Sequence, residues 1–128
     1  MTVEGFRRLA LSFAGAEEHS HMNHPDFRAN GRIFATLGYP SASHGCLMLT
    51  SEQQAIWMEA APQVFSLAAG AWGKAGATIV LLEPGDAETL GAAMTQAWQH
   101  AMAKKPPVKR EPAAKKATKA APMLSLKK

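Results

Sequence analysis

A chain of 128 residues with 47% apolar content has material for one small hydrophobic core, which excludes a large multidomain architecture. Its one cysteine, Cys46, excludes an internal disulfide framework and points to a reducing, cytoplasmic setting. The net charge of +4 joins two unlike parts: residues 1–103 carry five bases against nine acids, net −4, and residues 104–128 carry nine bases against Glu111 alone, net +8.

The first residues, MTVEGFRRLALSFAGAEE, are broken by Glu4, Gly5, Arg7 and Arg8 and read as neither a signal peptide nor a membrane span. Thr2 is placed to cap a first helix, in which Phe6, Leu9, Ala10 and Phe13 recur at helical spacing, with Gly15 as its stop. Glu17 to Met22 reads as a short strand. Phe27 before Asn30-Gly31, and Ile33, Phe34 and Leu37 after it, form a hairpin, because both turn residues tolerate the positive φ of a type I′ turn. Tyr39-Pro40-Ser41 opens a polar turn, and Gly45 to Leu49 makes a further strand.

Thr50-Ser51-Glu52-Gln53 has capping-box spacing and begins a second helix that runs to about Ala61, ahead of Pro62. A Gly/Ala-rich stretch holding Trp72 follows. Ala77 to Leu82 is the most β-prone run, and Pro84-Gly85 turns it. Asp86 caps a third helix whose Leu90, Ala93, Met94, Ala97, Trp98 and Ala101 lie on one core-facing stripe.

These elements predict an α+β fold, a two-layer sandwich with a mainly antiparallel sheet and helices packed on a face. The order is helix, three or four strands, helix, one or two strands, helix, or about α-β(3)-α-β(2)-α. Without a βαβ rhythm or a glycine fingerprint after a strand, a Rossmann nucleotide site is excluded. Residues 1–103 are expected to form the domain, and residues 104–128 a disordered basic tail.

His24-Pro25-Asp26-Phe27-Arg28 followed by Gly31-Arg32-Ile33-Phe34-Ala35-Thr36-Leu37 resembles the HPDF…GKIFATL signature of the MmcQ/YjbR family. Leu49 to Gln54, Ala60-Ala61-Pro62, and Gly70 to Thr78 with Trp72 resemble three further blocks in the same order, covering roughly residues 4 to 100. The resemblance implies a two-layer fold related to frataxin/CyaY-like and secretion-chaperone-like domains, and DNA binding through a double-wing arrangement. It carries no catalytic residues. Its signature residues here are His24, Pro25, Phe27, Phe34 and Trp72. It does not extend to the tail.

In the tail, KKPPVKREPAAKKATKAAPMLSLKK, lysines alternate with Ala and Pro, so too little apolar surface is present to offset chain entropy. Lys104, Lys105, Lys109, Arg110, Lys115, Lys116, Lys119, Lys127 and Lys128 are the candidate phosphate contacts. Each phosphate neutralised releases a counterion without base preference. In the domain, Arg28 and Arg32 flank the Asn30-Gly31 turn as a potential wing, and Lys74 is a third base. A solubilising tail and ordinary solvated hairpin charges are the plainer alternatives.

His19, His21 and His24, with His44 beyond and Asp26 as a carboxylate, raise a metal site, but no further ligand is spaced to complete a set. His44 and Cys46 share a strand face, although a cysteine in an apolar strand behaves as a small buried hydrophobe. The reading is a non-enzymatic DNA-binding accessory protein, cytoplasmic or nucleoid-associated. No catalytic residue, metal or cofactor is expected, nor any membrane contact. The partner is DNA or RNA bound without sequence preference, and the protein is a monomer. The alternative is a protein-interaction module with a solubilising basic tail.

Overall fold

In the computed structural model, which describes residues 1–21 and 23–103, Thr2 Oγ1 accepts a hydrogen bond from Gly5 N at 2.9 Å and opens α1 (Val3–Leu11). Phe6 and Ala10 of α1 are buried, and Leu9 and Phe13 pack beside them, as the helical spacing requires. The helix ends earlier than Gly15, at a Ser12 cap whose hydroxyl donates to Leu9 O (2.6 Å).

Four strands follow: β1 (Glu17–His21), β2 (His24–Ala29), β3 (Arg32–Leu37) and β4 (His44–Met48). After α2 (Ser51–Ala60) come β5 (Phe65–Leu67), α3 (Gly70–Lys74), β6 (Ala77–Leu81) and α4 (Ala87–Ala103). The six strands form one sheet in the order β1-β2-β3-β4-β6-β5, every neighbouring pair antiparallel. The Asn30-Gly31 turn has both residues at positive φ, 58° and 73°. The capping box at Thr50 and Gln53 is present in both directions, at 3.1 Å each way.

The fold class is as the sequence predicts, but the order is fuller: four strands precede α2, and α3 lies between β5 and β6. Sequence pattern alone does not reveal α3. Five residues are too few to show a period, Gly70 and Gly73 oppose helix formation, and Ala69 provides no side-chain cap. The expected basic tail, residues 104–128, lies outside the described residues. Among the described residues, no helix is long and apolar enough to cross a membrane.

Strand register assigns the two sheet faces, because directly opposed residues share a face. Phe27, Ala35 and Leu47 pair across β2, β3 and β4 and meet Phe6, Leu90, Met94 and Ala97 in the main core. Between Phe27 and Arg28 the β2–β3 register shifts, which turns both Phe34 and Ala35 into that core. An aromatic ladder closes its far end: Phe13 meets Phe34 edge-on and stacks on Trp98 at 5.6 Å. Met94 is fully buried, whereas Trp98 is half-buried, with Nε1 donating to Ala14 O (2.9 Å).

Gln54 joins α2 to α3 and β6. It is 6% exposed, and its Nε2 lies within hydrogen-bonding distance of Gly73 O, Ala77 O and Thr78 Oγ1. Gln54→Leu keeps the volume but strips donors from buried acceptors. Chemical denaturation should show a loss of about 2 kcal/mol, whereas a loss below about 0.5 kcal/mol would mean the amide is dispensable.

Candidate functional site

The sheet face opposite the main core carries His24, Asp26 and Arg28 of β2, Thr36 of β3, and His44, Cys46 and Met48 of β4, by the period-2 alternation of their strands. At one side α3 covers it, and Cys46, Ala68 and Ala77 form a second small core there. The rest of the face is open and holds one groove, and a second lies at the hairpin end of the sheet against α4.

The first groove, about 470 Å³, is lined by His24, Pro25, Asp26, Ile33, Thr36, Tyr39, Met48 and Trp72. Tyr39 and Trp72 form its rim, their rings 5.7 Å apart and inclined at 60°. Trp72 remains 39% exposed. On the floor, Asp26 is 1% exposed and bound by Arg28, Nε to Oδ1 at 2.8 Å and Nη2 to Oδ2 at 3.3 Å. That bond raises the Arg28 pKa above its ordinary value. Thr36 Oγ1 is buried and has no hydrogen-bond partner among the described residues.

The second groove, about 560 Å³, lies between the hairpin end of the sheet, at Arg28, Gly31 and Arg32, and α4, at Ala97, His100 and Ala101. Here the hairpin tip is not a free wing. Asn30 Nδ2 donates to Ala101 O at 3.0 Å and ties the turn to the last turn of α4, where residue 104 is about to follow. Arg28 and Arg32 therefore lie beside the last turn of α4. Lys74 is exposed on α3, two residues after Trp72 of the first groove and one before Ala75 of the second.

The signature residues divide by role. Phe27 and Phe34 are fully buried core, while His24, Pro25 and Trp72 line the first groove. Sequence reasoning missed Tyr39, Thr36, Ile33 and Met48. Strand alternation from Asp26 and Cys46 could have placed Thr36 and Met48 on this face, but nothing local pairs Tyr39 with Trp72, 33 positions away. The nine tail bases, Lys104, Lys105, Lys109, Arg110, Lys115, Lys116, Lys119, Lys127 and Lys128, lie outside the described residues.

His19 and His44 are each held by a neighbour. His19 Nε2 is 3.2 Å from Glu17 Oε1, His44 Nδ1 is 2.8 Å from Ser41 Oγ, and the Asp26 carboxylate is held by Arg28. Among the described residues, no group of three His, Cys, Asp or Glu is placed to hold a metal. Burial pushes the Cys46 thiol up to about 12, far from a thiolate nucleophile at neutral pH. Native protein at pH 8 should react with Ellman's reagent only as fast as it unfolds, and immediate reaction would show an accessible thiol. The stability that follows from keeping Cys46 neutral is fully present below the unfolded thiol pKa of about 8.5. It is lost progressively as pH rises from there toward about 12.

Fold and faces together define a two-layer α+β sandwich with one helix-covered and one largely open sheet face. The YjbR family model matches residues 11–100, and the chain belongs to the YjbR family. Among solved structures it is similar to Deinococcus radiodurans protein DR2400, of the DUF419 domain family, at 19% identity, a TM-score of 0.68 and 80% coverage of each chain. That likeness shows the fold. No curated protein matches the chain.

Proposed function

We propose that this chain is a non-enzymatic DNA-binding accessory protein. The lysine-rich residues 104–128 contact phosphates without sequence preference, and the YjbR domain adds a second contact and fixes orientation. The observation that carries this reading is the charge division, net +8 in residues 104–128 against net −4 in residues 1–103. The Asn30–Ala101 hydrogen bond supports it, since it brings Arg28 and Arg32 to the end of α4 from which that segment continues.

Affinity of the domain alone should be weak. Arg28 is paired with Asp26, which cancels most of its pull on a phosphate, and the domain as a whole is acidic. The test compares random-sequence duplex binding by the full chain and by a chain ending at Ala103. Loss of most of the affinity with the fold unchanged supports the proposal. Equal binding by both chains, or no binding by either, refutes it and favours the protein-interaction reading.

A further inference from the structure

The groove on the open sheet face has the composition of a small-molecule site. Its volume, about 470 Å³, lies in the range of ligand cavities. Pro25, Ile33 and Met48 supply apolar wall, and the Tyr39 and Trp72 rings stand together at its rim. Trp72 leaves 39% of its surface to solvent, in a domain whose Phe6, Phe27, Phe34 and Phe65 all lie in the core. The rim is held in place. A Cβ on Gly73, next to Trp72, would fall 1.8 Å from Ala68 O, so α3 is packed too closely to swing.

Two polar features define what the groove accepts. Asp26 is its acidic side chain, and Arg28 neutralises it through two hydrogen bonds. A charged ligand would therefore lose its water without gaining a counter-ion. His24 differs, because its side chain has no hydrogen bond or ion pair among the described residues. Its ring is seated on Gly38, where a Cβ would lie 2.9 Å from Nδ1. A fixed imidazole with hydrogen-bonding capacity to spare, in the wall of an apolar groove, is the kind of polar group that orients a ligand.

We propose that this groove binds a neutral, planar, bicyclic aromatic molecule bearing a hydroxyl, with its ring on Trp72 and its hydroxyl on the His24 imidazole. A flat ring gains both apolar burial and an offset or edge-on contact with the indole. A hydroxyl both donates and accepts, so it suits either tautomer of His24. This inference is independent of the DNA-binding reading above, since none of the proposed phosphate contacts takes part.

The experiment titrates the full chain with 2-naphthol and follows the indole N–H signals by nuclear magnetic resonance. Trp57 and Trp98 donate to Gln96 Oε1 and Ala14 O, away from the groove, and serve as internal controls. The Trp72 signal should shift with a Kd at or below about 1 mM while the other two stay in place. Trp72→Ala, followed by the amide signals of β2 and β3, should weaken binding about fivefold or more, and Trp72→Phe should recover most of the loss. His24→Phe should weaken 2-naphthol about threefold to tenfold yet leave naphthalene, which lacks the hydroxyl, unchanged. Naphthalene-2-sulfonate should bind this groove at least about tenfold more weakly than 2-naphthol. A Trp72 signal that does not move, equal shifts at all three indoles, or unchanged affinity in Trp72→Ala overturns the site. Equal affinity for the sulfonate overturns the neutral class, and equal losses of 2-naphthol and naphthalene in His24→Phe overturn the role of the imidazole.

Discussion

Deleting residues 104–128 should flatten the salt dependence of DNA binding. If all nine bases of that segment met phosphates, log K against log salt would fall with a slope of about −8. An extended chain seldom seats every charge, so a slope of about −4 to −7 is expected for the full protein. Without the segment the domain is net −4, and of its five bases Arg28, Arg32 and Lys74 are the candidate phosphate contacts, so the slope should shrink to about −1 to −3. Base sequence should matter little, because lysines meet phosphates and read no base edges. The proposal fails if the shortened chain keeps most of the affinity. It fails equally if one duplex sequence is preferred by more than about 3 kcal/mol, which would reveal a specific reader within the domain.

Gly76→Ala should be among the most damaging single substitutions in the domain. Gly76 has φ +117°, a region that L side chains rarely adopt, and a Cβ there would lie 1.8 Å from Leu49 O. Neither group has room to yield. Gly76 O accepts from Leu49 N (3.1 Å) and from Thr78 Oγ1 (2.9 Å), and Gly76 N donates to Gly73 O (3.0 Å), the carbonyl also approached by Gln54 Nε2. Adding one methyl therefore strains the backbone and pries apart the junction of β4, α2, α3 and β6. A loss of at least about 3 kcal/mol is expected, from strain together with the displaced hydrogen bonds. In a domain of this size that lowers Tm by at least about 10 °C, measurable by circular dichroism. A change of less than about 1 kcal/mol would show that the junction rearranges freely.

Local chemistry made most elements legible. Thr2, Thr50 and Asp86 each cap the helix expected of them; hydrogen bonds from Thr89, its hydroxyl foremost and its backbone N–H next, also lower the Asp86 carboxyl below its ordinary value. Asn30-Gly31 made its turn, and the stripe from Leu90 to Ala101 faced the core, because caps, turns and helical periods are written within a few residues of one another. The signature blocks were likewise readable, as was the opposition between an acidic domain and a basic end.

Whatever depends on residues far apart was decided only by the tertiary structure. Phe27 and Trp72 belong to the same signature, yet one is core and the other groove rim, because strand register and the position of α3 determine which side chain meets solvent. The pairing of Tyr39 with Trp72 and the coupling of Asn30 to Ala101 are contacts across 33 and 71 positions; neither leaves a trace in local pattern. The same holds for the Arg28–Asp26 pair. Its spacing is visible in the sequence, but the burial that makes Asp26 need a partner comes from the sheet. The sequence by itself determined most of the elements, the family and the charge division, all set by neighbours along the chain. The open face, its aromatic-rimmed groove and the joining of the hairpin tip to the end of α4 were decided by packing, which brings distant residues together only once the sheet is formed.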